Sequence, residues 1–339
     1  MLKIPKQKED AFKKHKEIID IIYYLCNKIV LKQQLTQLCL KLTKYREIDI
    51  DIAITELAQQ NILSKKQFLN TNRKLIYLTK YPVSKLENIK SRNVQSIKLT
   101  QEKIIKGVFK TEYILKKIED LQDINLNYVL DMLNTKDNTI LKREEEEIYK
   151  ILYNKYKNVL EEDFEDDLRI STAKKIIMEN RFKKDKKTTV TDVELLKRRQ
   201  KSIKMMGNCY YFNFNNMLCR NFFLEKINIK GPDIKLEVGF LDIYNTKNVT
   251  KIINNICYIY FMFLKYFNRN YSLNIRLCIY TYSEKNATEI RGNILKKSVD
   301  FKSKQIKSVN IKENILLKNG INPEKIKIGI TSLDIAKYI

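Results

Sequence analysis

Apolar residues near the start of this chain follow a helical repeat. Isoleucine, leucine and cysteine recur there every three to four positions in three successive segments, with charged residues between them. This spacing is typical of amphipathic helices that bury one face. The pattern predicts helices over residues 18–29, 31–42 and 50–58. Asn61 is expected to end the third helix in the left-handed conformation of a C-terminal cap.

A different period begins after the third helix. Residues 62–69 and 73–80 are short β-prone segments on either side of a polar Asn-Thr-Asn turn, which predicts a β-hairpin. Pro82 is expected to end the second strand because proline has no N–H to donate to a ladder. Three helices followed by a hairpin are the plan of a winged helix. We therefore predict a winged helix over residues 13–81.

The charge balance points to a polyanionic partner. Lysine and arginine total 65 against 40 aspartates and glutamates, a formal charge of +25 over 339 residues. Nucleic acid is the first candidate for such a surface, and an anionic membrane is the second. Abundant lysine, isoleucine and asparagine also fit an AT-rich genome, whose codon usage is a second source of the positive charge.

No segment resembles a membrane anchor. The longest apolar run, residues 256–264, is far shorter than the roughly 20 residues that cross a bilayer. The charged start of the chain has no signal-peptide pattern. We therefore expect a cytoplasmic protein with no membrane partner.

Composition also predicts how the chain is divided. A flexible arm is expected at residues 1–12, and a linker at residues 82–98 separates the winged helix from the remainder of the chain. Residues 99–204 carry apolar residues at helical spacing, which predicts a central helical arm. Residues 205–339 alternate strand-like and helix-like segments, which predicts an α/β domain with some parallel pairing. The expected fold is multidomain α+β.

The helical arm carries charge runs of opposite sign. Residues 144–147 and 161–167 are acidic, whereas residues 174–204 are rich in lysine and arginine. Such runs are most often solvated helix faces. The alternatives are an acidic patch for a protein partner with a basic patch for nucleic acid, or pairing of the two runs. We expect the arm to mediate homo-oligomer or protein-partner contacts.

Composition excludes several kinds of catalytic site. His15 is the only histidine and lies in the charged start of the first helix, so histidine-based triads and histidine zinc sites are not expected. The chain contains neither a P-loop nor a Gly-x-Gly-x-x-Gly fingerprint, and we expect no cofactor. The six cysteines are scattered, which predicts reduced thiols.

Asp233 and Asp242 are the candidate catalytic residues. Asp233 follows a proline at the start of one expected strand, and Asp242 ends the next. Two acids at adjacent strand ends can hold a hard divalent cation, as nucleases do. The structural alternative is that Asp233 is a turn residue and Asp242 caps a strand end.

A family resemblance rests on these acids and their surroundings. Their spacing resembles the core of PD-(D/E)xK nucleases, although Tyr244 stands where those enzymes have lysine and Lys247 would have to substitute. Together with the winged helix, Pro-Asp at 232–233, Phe-Leu-Asp at 240–242 and the helix after them resemble the replication-relaxation family of mobile elements.

The resemblance implies a non-catalytic DNA-binding protein of a plasmid, phage or integrative element. Such a protein would serve replication, partition, transfer or transcriptional regulation. Its C-terminal α/β domain would be related to the restriction-endonuclease-like fold. The alternative is a metal-dependent nuclease with a degenerate site.

The predicted winged helix suggests how DNA would be bound. In this motif the third helix enters the major groove, and the hairpin, or wing, contacts the flanking backbone. The third helix offers Thr55 and Gln59 for base edges, but Asp49, Asp51 and Glu56 would face phosphates. The candidate phosphate contacts are the cationic residues around it: Lys32, Lys44, Arg46, Lys65, Lys66, Arg73 and Lys74.

We expect duplex DNA to be held mainly by the wing, with weak or shape-based sequence selection. The alternative is a winged helix that dimerises or acts as a protein-protein adaptor.

Overall fold

The computed structural model describes residues 6–135, 137–141, 145–159, 212–246, 248–267, 271–294, 297–299, 306–308 and 310–339. The fold is mixed α+β. The chain divides into two compact units, Met1–Lys136 with Ser332–Ile339 (unit 1) and Asp137–Thr331 (unit 2). Within the described ranges, no helix is both long and apolar enough to span a lipid bilayer.

Unit 1 begins with helices that surround a small sheet. Its first elements are α1 (Lys6–Lys14), α2 (Lys16–Asp20) with a π-helical turn (Ile21–Leu25), β1 (Ile29–Leu31), α3 (Lys32–Leu42), α4 (Glu47–Gln59), β2 (Leu63–Gln67) and β3 (Lys74–Leu78). The strands form an antiparallel sheet in the order β1-β3-β2. The predicted β2–β3 hairpin is confirmed, and Asn61 has the expected positive φ of 51°.

Strand β1 is an element that the helical repeat did not reveal. Ile29 was predicted to end the first helix and Leu31 to begin the second, but residues 29–31 pair with β3, with Ile29 opposite Tyr77. Asn27 and Lys28 have φ values of 54° and 69°. Two consecutive left-handed residues cannot continue a right-handed helix. The chain therefore turns at residues 27–28 and enters the sheet.

The start of the chain differs from the predicted flexible arm. Residues 6–12 belong to α1, and both Ala11 and Phe12 are buried. Phe12 packs edge-on against Tyr81, with ring centroids 5.8 Å apart. This apolar contact holds α1 in unit 1, although the rest of its surface is charged.

Three more helices of unit 1 come after the hairpin. They are α5 (Lys80–Leu86), α6 (Gln101–Ile118) and α7 (Leu126–Thr135). Pro82 lies in the first turn of α5, where its missing N–H costs little. Helix α6 packs closely on β1, because a Cβ added at Gly107 would lie 3.0 Å from the carbonyl oxygen of Ile29. Helix α6 is thus part of the unit 1 core.

The last eight residues of the chain also belong to unit 1. The sequence prediction placed them in the C-terminal α/β domain, but Ser332–Ile339 clusters with residues 1–136. Ile335 and Tyr338 lie in a 3-10 turn and are buried. The Tyr338 hydroxyl donates a hydrogen bond to Oε2 of Glu112 on α6 (2.9 Å), so the turn is joined to α6.

Unit 2 is built on a four-stranded sheet in the order β4-β5-β6-β9. Its elements are α8 (Glu145–Tyr156), α9 (Phe214–Cys219), β4 (Phe222–Lys230), β5 (Asp233–Leu241), α10 (Val249–Tyr266), β6 (Ser272–Thr281), α11 (Glu284–Ile294), β7 (Lys297–Val299), β8 (Ile306–Ser308), α12 (Ile311–Lys318) and β9 (Ile326–Ser332). Strands β4 and β5 form an antiparallel hairpin, and β5 and β6 are parallel. Helix α10 supplies the crossover that a parallel pair requires.

The apolar face of the unit 2 sheet forms its core. Ile234, Leu236 and Val238 alternate along β5 and are buried with the apolar residues of α10. On the opposite face, the Phe223 ring lies over Gly239, and a Cβ at Gly239 would come within 2.2 Å of the ring.

The predicted boundary at residue 204, the acidic run at 161–167 and the basic run at 174–204 lie outside the described residues.

Candidate nucleic-acid interface

Helix α4 presents one buried face and one exposed stripe. Ile50, Ala53, Ile54 and Leu57 are buried in unit 1. The opposite side of the helix exposes Ile48, Ile52, Thr55 and Gln59. These four residues have the i, i+4, i+7, i+11 spacing of a single helix face. We call them the α4 stripe.

Three of the four acidic residues of α4, Asp49, Asp51 and Glu56, are paired within unit 1. The Arg46 guanidinium donates to Asp49 (2.8 Å), and Lys32 Nζ donates to Asp51 (2.7 Å). Hydrogen bonding to Arg46 lowers the pKa of Asp49. The negative charge that made α4 look unfavourable for DNA is therefore offset by neighbouring cations.

Glu56 has two hydrogen-bond partners at the junction of α1 and α2. His15 Nε2 lies 2.9 Å from Glu56 Oε2, and Lys14 Nζ donates to the same oxygen (2.7 Å). The hydrogen bonds from His15 and then Lys14 lower the pKa of Glu56. His15 is buried, so the single histidine of the chain joins α4 to the preceding helices.

The hairpin carries three exposed lysines, at positions 65, 66 and 74. Gln67 pairs with Lys74 in the ladder. Since residues two apart on a strand share a face, Lys65 and Lys74 lie on one face of the hairpin and Lys66 on the other. Partial burial, and then the nearby charges of Lys74 and Lys32, lower the pKa of Lys65. The ammonium groups of Lys65, Lys74 and Lys32 are thus close together.

The cationic face of the hairpin adjoins α4. Asp51 also contributes to the electrostatic environment of Lys65, and it is bonded to Lys32. Asp51 lies three residues after Ile48 and four before Thr55, on the same side of the helix as the α4 stripe. The stripe and the lysines at positions 65 and 74 therefore share one surface of unit 1.

Lys44 extends the positive charge to the other end of α4. Its side chain is exposed in the loop between α3 and α4. It lines a groove of about 1220 Å³ together with Leu40, Tyr45 and Ile52. The predicted contacts Lys44 and Arg46 thus flank the start of α4, whereas Lys65 and Lys74 flank its side.

Arg73 has a different environment from the other predicted contacts. Its guanidinium donates to Gln33 Oε1 (2.6 Å) and to the carbonyl oxygen of Lys337, and lies 5.3 Å from the centre of the Tyr338 ring. Arg73 is only half-exposed. Its contacts stabilise the C-terminal turn against the hairpin, so we do not include it among the phosphate contacts.

Two isoleucines of α4 face outwards and were not among the predicted site residues. Ile48 is 70% exposed and Ile52 is 57% exposed. Isoleucine occupies positions 48, 50, 52 and 54, and one helix face cannot hold all four, because residues two apart are separated by about 200° around a helix. The alternation itself was the signal that half of them must face outwards.

The two candidate catalytic acids are not brought together. Residues 233–241 form one strand, not two, so Asp233 begins β5 and Asp242 lies just beyond its end. At about 3.3 Å per residue the two are separated by roughly 30 Å, which is too far to share a metal ion. Asp233 is exposed, whereas Asp242 is fully buried. The prediction that they meet at adjacent strand ends is wrong.

The contacts of Asp242 indicate a structural role and not a catalytic one. Its Oδ1 accepts the backbone N–H of Thr246 (2.9 Å), while Oδ2 is buried without a hydrogen-bond partner. Burial raises the pKa of its carboxyl group. Lys247 lies outside the described residues, and Tyr244 is exposed. In the described part of the chain, no three His, Cys, Asp or Glu side chains are grouped so that they could hold a metal ion.

Comparison with known proteins found no matching family model, no matching curated protein and no matching solved structure.

Proposed function

We propose that unit 1 is a winged helix that binds duplex DNA without catalysis. Helix α4 would enter the major groove, and the β2–β3 hairpin would act as the wing on the adjacent backbone. The observation that carries this proposal is the shared surface of the α4 stripe and the wing lysines. Lys65 lies near Lys74, Lys32 and Asp51, so cationic groups border the exposed side of α4.

Charge supports DNA over a protein partner. Three lysines project from a short hairpin, and three of the four acids of α4 (Asp49, Asp51 and Glu56) already have cationic partners in unit 1. Phosphate contacts by lysine supply most of the non-specific affinity of DNA-binding proteins. The exposed isoleucines favour the alternative of a protein-protein adaptor, and the salt dependence of binding separates the two.

The biological setting is proposed on the sequence resemblance alone. A DNA-binding protein that resembles the replication-relaxation family would serve replication, partition, transfer or transcriptional control of a plasmid, phage or integrative element in the cytoplasm. Copies of the chain would associate through the predicted helical arm at residues 99–204. Most of the charged runs of this arm lie outside the described residues. Unit 2 would be a restriction-endonuclease-like domain without its metal site. Since Asp233 and Asp242 occupy opposite ends of β5, we do not propose a nuclease.

The experiment is the salt dependence of binding to a 30-base-pair duplex, measured by fluorescence anisotropy. Wild type is compared with the variant Lys65→Ala/Lys66→Ala/Lys74→Ala. Each lost phosphate contact reduces the slope of log K against log salt by about 0.9, so the slope should fall by about 2 to 3. An unchanged slope would exclude the wing from DNA binding and favour the adaptor.

A further inference from the structure

The most exposed feature of α4 is apolar. Ile48 and Ile52 have 70% and 57% of their surface exposed, more than any other large aliphatic side chain in the described part of unit 1. One turn of helix separates them, so their side chains lie next to each other. An apolar pair of this kind, on a helix that is expected to enter a groove, needs an apolar partner.

We propose that α4 reads the C5-methyl groups of thymine in the major groove. This inference rests on the proposed function and names what the same surface recognises. Thymine is the one base of DNA that presents a methyl group in the major groove, and apolar side chains contact that methyl. The sequence class selected is then A·T-rich duplex with thymines placed opposite Ile48 and Ile52.

The rest of the stripe fits the same base pairs. Helix α4 contains no lysine or arginine, the residues that most often read guanine through O6 and N7. Gln59 is exposed, and a glutamine amide can bond N6 and N7 of adenine. The Thr55 hydroxyl donates to the Asp51 carbonyl oxygen within the helix (2.9 Å), which leaves the threonine methyl as the group offered to DNA.

The dimensions of the stripe match a short run of base pairs. Four residues of helix between Ile48 and Ile52 rise about 6 Å, close to the roughly 7 Å of two base-pair steps. The eleven residues from Ile48 to Gln59 rise about 16 Å, or about five base pairs. The helix can thus contact two nearby thymines and an adenine within one turn of duplex.

Charge complementarity indicates that the partner of this apolar pair is DNA. Lys44 lies at the start of α4, and Lys65 and Lys74 border its side. Phosphates on both edges of a major groove would meet these cations while the isoleucines reach the groove floor. The surface therefore has the isoleucines at its centre, beside Asp51, which is paired with Lys32, and cations at its edge.

The test replaces thymine by deoxyuridine, which removes the methyl and keeps the base pairing. Anisotropy is measured with the full chain on two 30-base-pair A·T-rich duplexes that differ only in this replacement. Burial of one methyl is worth about a fourfold change in affinity. Wild type should therefore bind the uracil duplex about 4- to 15-fold more weakly.

The variant Ile48→Ser/Ile52→Ser should bind the two duplexes equally. Any remaining difference between the affinities of this variant for the two duplexes measures the effect of uracil on DNA shape, and the wild-type ratio is corrected for it. Ile89→Ser is the matched control, because Ile89 is an exposed isoleucine just after α5 (41%) and lies outside α4 and the hairpin. This control should keep the wild-type preference for thymine. Circular dichroism checks that each variant is folded. Ile52→Val is a milder variant that should lose part of the preference for the thymine duplex.

The outcomes separate this inference from the proposed function. If wild type binds DNA but does not distinguish thymine from uracil, methyl reading is overturned and DNA binding stands. If the serine variant retains the wild-type preference, the isoleucines are not the reading residues and the inference is overturned. If wild type binds neither duplex, both proposals are overturned.

Discussion

Lys32 Nζ lies 2.7 Å from Oδ2 of Asp51, and this ion pair joins the start of α3 to the exposed side of α4. Both partners are substantially exposed, with side-chain exposures of 37% and 49%, so the pair contributes little to folding. Its effect is on charge, because it neutralises an acid on the surface that we propose to face DNA. The same pair also engages a lysine that could otherwise contact phosphate.

Removing the acid should therefore strengthen DNA binding. Asp51→Asn deletes a negative charge from the α4 surface and releases Lys32, so Kd should fall by about two- to fivefold at moderate salt. Anisotropy titrations measure the change. Glu102→Gln, on the exposed first turn of α6, removes the same charge elsewhere in unit 1 and should have a smaller effect. Equal effects would mean that only net charge matters.

The hydrogen bond between Tyr338 and Glu112 should stabilise unit 1. Glu112 Oε2 accepts from both Tyr338 and Gln34 (2.9 Å each), and Lys337 donates to Oε1 (2.7 Å). Tyr338→Phe keeps the ring and removes one donor to a buried carboxylate, at a cost of about 1–3 kcal/mol. Urea denaturation measures this.

The matched control for Tyr338 is Tyr128→Phe in α7. Tyr128 is 48% exposed, whereas Tyr338 is 1% exposed. The control should leave the free energy of unfolding within about 0.5 kcal/mol of wild type. A Tyr338→Phe variant as stable as this control would show that the hydrogen bond from Tyr338 to Glu112 does not stabilise unit 1.

Asp242 should make unit 2 less stable as pH rises. Burial raises the pKa of Asp242 above its ordinary value of 3.8, so the folded state binds the proton more tightly than the unfolded state. The favourable contribution of the protonated acid is complete below the unfolded pKa and is lost as pH rises through the folded pKa. Wild type should lose stability relative to Asp242→Asn over that interval.

The Asn variant should be the more stable protein at pH 7. Leu241 pairs with Tyr280, so residue 242 lies beside Thr281, whose Oγ1 is also buried without a partner. An asparagine can keep the bond from Thr246 and donate from its amide. Thermal unfolding from pH 4 to 8 measures the effect, and Asp233→Asn, at the exposed start of the same strand, should show none. Parallel curves for wild type and Asp242→Asn would contradict the prediction.

The absence of a side chain at Gly239 should contribute to the stability of the unit 2 sheet. A Cβ there would lie 2.2 Å from Cζ of Phe223, which is itself buried. Gly239→Ala must displace this ring and should cost about 1–3 kcal/mol or more. Gly292→Ala is the control, because a Cβ in α11 meets nothing within 4 Å and should stabilise the helix by up to about 1 kcal/mol. Chemical denaturation of the two variants should give effects of opposite sign.

The sequence predicted those parts of unit 1 that depend on local periodicity. Helices α3 and α4, the hairpin and the cap at Asn61 are consequences of apolar spacing and turn chemistry. Strand β1 could not be predicted, because its three residues continue an apolar run and only the left-handed pair Asn27 and Lys28 separates it from the helix. The single strand β5 was read as two because Gly239 resembles a break, whereas it makes room for Phe223.

The charges of the candidate site depended on contacts that sequence spacing does not show. Asp51 and Glu56 looked unfavourable for DNA until the structure paired them with Lys32 and His15. Arg73 was expected to contact phosphate, but its partner in the chain is the Lys337 carbonyl oxygen, 264 positions away. Pairings at such separations come from tertiary packing, which no local pattern encodes.

Reversal of the wing charges is the sharpest test of DNA binding through the hairpin. Lys65→Glu/Lys66→Glu/Lys74→Glu is compared with Lys90→Glu/Lys98→Glu/Lys103→Glu, three lysines of unit 1 outside α4 and the hairpin. Both variants change the net charge equally. On a 30-base-pair duplex in about 0.1 M salt, the wing variant should bind about 100-fold or more weakly, and the control less than about 5-fold. Equal losses in the two variants would show that the hairpin has no specific part in DNA binding.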